Sequence, residues 1–152
     1  MQKIKSFQVD HTKLEKGLYI SRVDGDIITY DLRMVKPNTP SFLENDGIHT
    51  FEHLMATYLR NSENKEKVIY VGPMGCRTGF YLLFKDLAPK IVISLVKNAL
   101  EFIARFHGEI PGSTKIECGN YLDHDQSKAK NYAKDMLEVL KDWKCENLQY
   151  SV

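Results

Sequence analysis

Apolar residues recur with two different periods along this chain, and each change of period marks a change of element. Period two comes first. Leu18 to Val23 and Ile27 to Val35 alternate apolar and polar side chains on either side of Asp24-Gly25-Asp26, which predicts a β-hairpin with a glycine-containing turn. In the second strand Ile28, Tyr30, Leu32 and Met34 share the face expected to pack on a core. Thr29, Asp31 and Arg33 share the other, expected to be wet or to meet a partner. Helical spacing follows from Asp46 to Asn61, where Ile48, Phe51, Met55, Tyr58 and Leu59 form one stripe and Asp46 is the expected N-cap. Short apolar runs at Lys67 to Val71 and Phe80 to Phe84 predict two more strands, separated by the glycine-rich turn Gly72 to Gly79. Helical spacing returns from Ala88 to His107, with Asp86 as the expected cap, and again after Asp125, with Ala129, Tyr132, Ala133, Met136, Leu137, Leu140 and Trp143 on one stripe. These elements predict an α+β fold: a four-stranded antiparallel sheet covered by helices, in a single domain over residues 1–152.

Composition narrows the function classes. A chain of 152 residues with 43% hydrophobic and 27% charged residues can bury a core of its own. Its formal charge of +1 gives no reason to expect nucleic acid or an anionic membrane as partner. No apolar run approaches the ~18 residues of a membrane span, and the opening residues lack the apolar stretch of a secretory leader, so the expected location is the cytoplasm. There the three cysteines, Cys76, Cys118 and Cys145, are expected to be thiols or metal ligands rather than a disulfide framework. Cys145 falls in a tail expected to fray, and no role is assigned to it.

Chemistry concentrates in the first helix. His49 and His53 lie four residues apart, one turn above the other on one face, with Glu52, Ala56 and Arg60 on or beside their stripe. Two stacked imidazoles can hold one transition metal. The order His-x-x-Glu-His is that of an inverzincin-like metal helix, although the pattern also arises by chance. Two histidines leave a metal under-coordinated. The candidates for a third ligand are Cys118, His124, Asp123 and His11, and Cys118 suits a transition metal best because the metal binds thiolate tightly. A set of two histidines and one cysteine leaves a position open for water or substrate, the arrangement of a catalytic metal. Cys76, on the turn between Gly75 and Gly79, would be a second thiol able to act as base or nucleophile.

These pieces resemble the LuxS family of S-ribosylhomocysteine lyases over essentially the whole chain. The resemblance rests on Ser6-Phe7 with Asp10-His11, on Asp31-Leu32-Arg33 followed by Pro37-Asn38, and on His49 to Leu54. It continues with Pro73-Met74-Gly75-Cys76-Arg77-Thr78-Gly79 and Cys118-Gly119. It implies metal ligands His49, His53 and Cys118, with Fe2+ as the native ion and Zn2+ or Co2+ as substitutes. It implies Cys76 and Glu52 as acid-base residues, and Ser6, His11, Arg33 and Arg60 as substrate-binding residues. Some of these would come from the second subunit of a homodimer with its active sites at the interface. The implied reaction splits the thioether of S-ribosylhomocysteine into homocysteine and 4,5-dihydroxy-2,3-pentanedione, the precursor of autoinducer-2. One departure is Tyr70, where many relatives carry Asp, which puts a contact with the substrate's amino group in doubt. Two rival readings remain at this stage: an inverzincin-like metallopeptidase using Glu52 to activate water, and a non-catalytic metal-binding or thiol-sensing module.

Overall fold

Alternation along each strand decides which face of the sheet is buried. In a computed structural model, which describes residues 1–151, the strands β1 (Gly17–Asp24), β2 (Ile27–Arg33), β3 (Val68–Pro73) and β4 (Gly79–Lys85) form one antiparallel sheet in the order β1-β2-β4-β3. Leu18 pairs with Leu32 and Leu32 with Phe80; Tyr30 pairs with Leu82 and Leu82 with Val71. These rows are buried and form the sheet's share of the core. The hairpin turn is made as expected, with Gly25 at a φ of +61° that costs a residue without Cβ little.

The helices α1 (Asn45–Asn61), α2 (Pro89–Ala104) and α3 (Gln126–Leu140) supply the rest of the core. From α1 come Ile48, Phe51, Leu54, Met55 and Leu59; Tyr58 is only half-buried. Two expected caps are corrected. Asp46 lies inside the first turn of α1, and Glu44 takes the capping position without a side-chain bond. Asp86 does not cap α2, because the capping position falls two residues later at Ala88; Asp86 instead turns the chain at a φ of +50°, with its backbone N–H donating to Asp26 O at 2.7 Å. Asp125 does cap α3, accepting from the Lys128 N–H. The α2–α3 connection, residues 105–125, contains neither strand nor α-helix.

The far face of the sheet differs from expectation. Asp31 and Arg33 are 1% and 3% exposed, so this end of the β2 face, expected to be wet or to meet a partner, is sealed within the chain itself. The cause is the C-terminal tail, which does not fray. It forms a 3-10 turn at Cys145–Leu148 and buries Leu148. Trp143 Nε1 donates to Leu18 O at 2.9 Å, and the ring lies where a Cβ on Gly17 would have to be. Tyr150 stacks on Tyr19, with centroids 5.0 Å apart, and its hydroxyl donates to Asp31 Oδ2 at 2.6 Å. The cross-strand neighbours of Arg33 are both glycines, Gly17 on β1 and Gly79 on β4. A Cβ on Gly79 would sit 2.2 Å from Leu32 O, a backbone atom that cannot yield.

Burial, then the charge of Asp31, raises the Tyr150 pKa above its ordinary value. A raised folded pKa means that the phenol's contribution is intact below the unfolded pKa of about 10 and is lost as pH climbs above it. Tyr150→Phe should therefore cost about 1.5–3 kcal/mol near pH 8, the range for a hydrogen bond to a charged group. The gap between the two proteins should narrow above about pH 10. Urea unfolding at both pH values checks this; a gap that widens at high pH would refute it.

Candidate metal centre and the neighbouring thiol

A histidine binds metal through a nitrogen that carries no proton, so the partner of the other nitrogen sets which one is free. Both α1 histidines have that partner in the α2–α3 connection. His49 Nδ1 donates to Asp123 O and His53 Nδ1 to Pro111 O, each at 2.8 Å. Carbonyls only accept, so both rings carry their proton on Nδ1 and turn the Nε2 lone pair the same way. Gly112, at φ +70°, follows Pro111 closely under His53: a Cβ there would be 3.3 Å from Nδ1.

The same connection brings in the sulfur. Cys118 Sγ lies 3.4 Å from His49 Nε2. Ligand atoms of His49, His53, Cys118 and His124 all fall within 4.8 Å of one another. The expected pair and the favoured third candidate are thus brought together, and His124 joins them. Asp123 takes part through its carbonyl only, and His11 sits in the N-terminal arm with Nδ1 donating to Val9 O at 2.8 Å. The His124 ring stacks on His49 with centroids 3.9 Å apart. Burial, then the nearby His49 and His53, lowers its pKa, so it is neutral at pH 7. The donor set, two imidazole nitrogens with lone pairs and one thiol, fits a divalent transition ion such as Zn2+ or Fe2+.

Glu52 and His53 rim a hollow of about 370 Å³ together with Ala56, Arg60 and Tyr70. The helical stripe read from the sequence, apart from His49, is therefore the wall of a cavity. Arg60 is held there by Val68 O and Ile69 O, at 3.4 and 3.3 Å. Ser6 borders a second hollow over the far face of the sheet, with Thr29, Tyr81 and again Tyr70 among its walls.

Cys76 belongs to a different chain of bonds. Its Sγ lies 3.0 Å from Thr78 Oγ1, which accepts from Arg33 Nη1 at 2.8 Å; Arg33 Nη2 pairs with Asp31 Oδ2 at 2.7 Å. Burial alone would weaken the guanidinium's charge, but Asp31 beside it more than restores it, and its pKa is raised. A buried cation thus stands one hydroxyl away from the exposed thiol. The Cys76 turn sits at the start of α1, where Pro73, Met74, Gly75 and Arg77 share a hollow with Asn45 and Ile48. Among the described residues no hydrogen bond links Cys76 to the histidine cluster. The sequence places Asp31 and Thr78 within the motifs but assigns them no role, and it gives no sign of Tyr150; the polar Asp31 and Arg33 at alternate positions of an apolar strand are the one hint of this system.

The chain is also similar in sequence to known proteins. The family described as S-Ribosylhomocysteinase (LuxS) matches residues 4–147. Proteins named S-ribosylhomocysteine lyase from Finegoldia magna and Borreliella burgdorferi are 46% and 47% identical, each over 99% of both chains. One of the same name from Phocaeicola vulgatus is 45% identical over 99% of this chain and 98% of its own.

Cys118→Ser replaces a thiolate with a poor ligand. It should weaken Zn2+ binding by more than the roughly 10–100-fold typical of outer-shell changes, and Co2+ loading should lose its thiolate charge-transfer band. Competition against a chromophoric chelator measures the first and absorbance the second. Unchanged affinity with an unchanged band would remove Cys118 from the ligand set.

Proposed function

The chain belongs to the S-ribosylhomocysteinase (LuxS) family, and from that premise we propose how its residues divide the work. The reaction is cleavage of the thioether of S-ribosylhomocysteine to homocysteine and 4,5-dihydroxy-2,3-pentanedione, the precursor of autoinducer-2. The observation that carries the assignment of roles is the convergence of His49, His53 and Cys118, with Glu52 on the rim of the adjoining hollow.

Chemistry explains the equipment. A thioether leaves readily when it is β to a carbonyl, but the substrate's carbonyl begins at C1 and the sulfur sits on C5. The carbonyl must move from C1 to C2 and then to C3 before the proton on C4 is acidic and the C5–S bond can break. Each migration passes through an enediolate, which needs proton transfers between neighbouring carbons and oxygens and an electrophile for the negative charge. His49, His53 and Cys118 would hold the ion, which acts as a Lewis acid when bound. We assign Fe2+ as the native ion, with Zn2+ or Co2+ as substitutes. No redox cofactor is needed, because each isomerisation oxidises one carbon as it reduces its neighbour.

Cys76 takes the carbon-bound proton in the first migration. Arg33 donates to Thr78 Oγ1, which leaves the Thr78 hydroxyl proton free to point at the sulfur. Glu52, on the hollow's rim, serves the oxygens and protonates the departing sulfur. Arg60 and Ser6 line hollows that share the Tyr70 ring, and with His11 and Arg33 they make up the substrate-binding group.

A homodimer reconciles these positions. Exposed apolar side chains cluster in three places: Ile4 and Phe7 on the N-terminal arm, Ile69 and Tyr70 on edge strand β3, and Ile116 and Leu122 around Cys118. Such surface calls for a cover, and a two-fold axis would supply two equivalent composite sites from it. We place the enzyme in the cytoplasm as a single domain over its 152 residues. No helix among the described residues is long and apolar enough to cross a membrane. Neither the metallopeptidase nor the non-catalytic module is favoured by any feature of the site.

Cys76→Ser and Glu52→Gln should each keep metal and fold but lose homocysteine release by a factor on the order of 100 or more, the usual scale for an acid-base group. With substrate deuterated at C2, Cys76→Ser should show little exchange with solvent, while Glu52→Gln still exchanges and accumulates a keto intermediate. Label loss at the wild-type rate in Cys76→Ser would pass the first proton abstraction to another group. Thiol release alongside casein cleavage separates the lyase from a peptidase.

Mixing inactive His49→Ala with inactive Arg33→Ala tests residue sharing. Some mixed dimers would hold one intact composite site, so activity should return once subunits exchange. No recovery after exchange, followed by native mass spectrometry, would place both residues in the site of a single subunit.

A further inference from the structure

We infer that His124 faces the metal centre as a proton-bearing imidazole, a hydrogen-bond donor beside the ion rather than a fourth ligand to it. The assignment follows from its neighbour Thr50. His124 Nδ1 lies 2.9 Å from Thr50 Oγ1, a fully buried hydroxyl on α1. That oxygen already accepts from the Asp125 backbone N–H, also at 2.9 Å. The hydroxyl still has its own proton to place. Among the described residues, His124 Nδ1 is the acceptor within hydrogen-bond distance of it. Nδ1 therefore accepts, and the proton of the neutral ring sits on Nε2.

The opposite tautomer would have Nδ1–H donate to Thr50 and would strand the hydroxyl proton in the interior. The arrangement is the reverse of His49 and His53, whose Nδ1–H groups face carbonyls and whose Nε2 atoms carry lone pairs. His124 Nε2 is buried and has no hydrogen-bond partner among the described residues. With Nδ1 engaged by Thr50, Nε2 is the nitrogen left for the cluster. A nitrogen bearing a proton has no lone pair for a metal. The centre is then built from two nitrogens, one sulfur and one N–H. This leaves a coordination position open and sets a donor beside it.

An oxygen gathering negative charge there would meet that donor already in place, and a preformed donor is worth most where water is excluded. Which oxygen it serves rests on the lyase reading above; the protonation state does not.

The test uses full-length protein with 15N-labelled imidazoles, loaded with Zn2+, and the Co2+ form for absorbance. In the wild type, His124 should show a protonated Nε2 and an unprotonated Nδ1, opposite to His49 and His53. His124→Leu should bind Zn2+ within about threefold of wild type and leave the Co2+ bands in place. Its kcat should fall on the order of 100-fold with KM little changed, the scale for losing one oxyanion donor. His124→Gln, which offers an amide N–H, should recover part of that loss. Thr50→Val, which removes the hydroxyl, should release the tautomer preference in the wild-type background and serves if His124→Leu fails to fold. Loss of the Nε2 proton on Zn2+ binding, or at least tenfold weaker Zn2+ binding with altered Co2+ bands in His124→Leu, would make His124 a ligand and overturn the proposal. Unchanged turnover in a folded His124→Leu would overturn the donor role. Thiol release by the wild type in the same preparations tests the lyase reading separately: its absence would sink that reading while the NMR result stands.

Discussion

An imidazole nitrogen holds a proton or a lone pair, never both, and the centre of this protein depends on that choice being made before any ion arrives. His49 and His53 come to the site with Nδ1 bound to carbonyls of a connection that has no regular structure of its own. The helix therefore contributes position, and the connection contributes chemical state. Lys128 on α3 helps hold the two together, with its ammonium 3.0 Å from Asp46 at the start of α1 and 3.8 Å from Asp125. The glycine at 112 belongs to the same requirement, since the backbone must pass close beneath the His53 ring.

A second polar system crosses the sheet on its far side, from Tyr150 through Asp31 and Arg33 to Thr78 and Cys76. Removing either charge of the Asp31–Arg33 pair would leave the other buried alone, at a cost of about 3–5 kcal/mol. Such a pair is a poor device for stability alone, because apolar residues of similar volume can do as well. Its position, one hydroxyl from a thiol, gives it a use that apolar residues could not have. The fold thus keeps a cation in a dry place and delivers its influence through Thr78 to a turn open to solvent.

Much of this was legible in the chain. Period-two and helical spacing gave four strands and three helices in order, because the core is built from regular rows such as Leu18, Leu32 and Phe80. The histidine pair was legible because four-residue spacing on a helix has only one spatial meaning. The caps of α1 and α2 were misread because a carboxylate near a helix start has several possible partners, and Asp86 follows a different path into the turn. The tail was misread for a related reason: local sequence does not show that Tyr150 will meet Asp31, so distant in the chain. Cys118 stood only modestly ahead of His124 from spacing, since both lie in one irregular segment. The hydroxyl of Thr50, hidden inside the motif itself, carries the information that separates them.

The docked tail also bears on how the enzyme is made. Tyr150 follows Asp31 by 119 residues, while Asp31 and Arg33 lie in the second strand. A nascent chain can fold its hairpin and its metal helix as they emerge, since folding proceeds from the N-terminal side during synthesis. The phenol that completes the ion pair is made long after β2 and β4. Docking of the tail is then a late step in assembling the thiol's surroundings, and until it happens the chain carries its ligands, its sheet and its Cys76, but an unsealed charge beneath them.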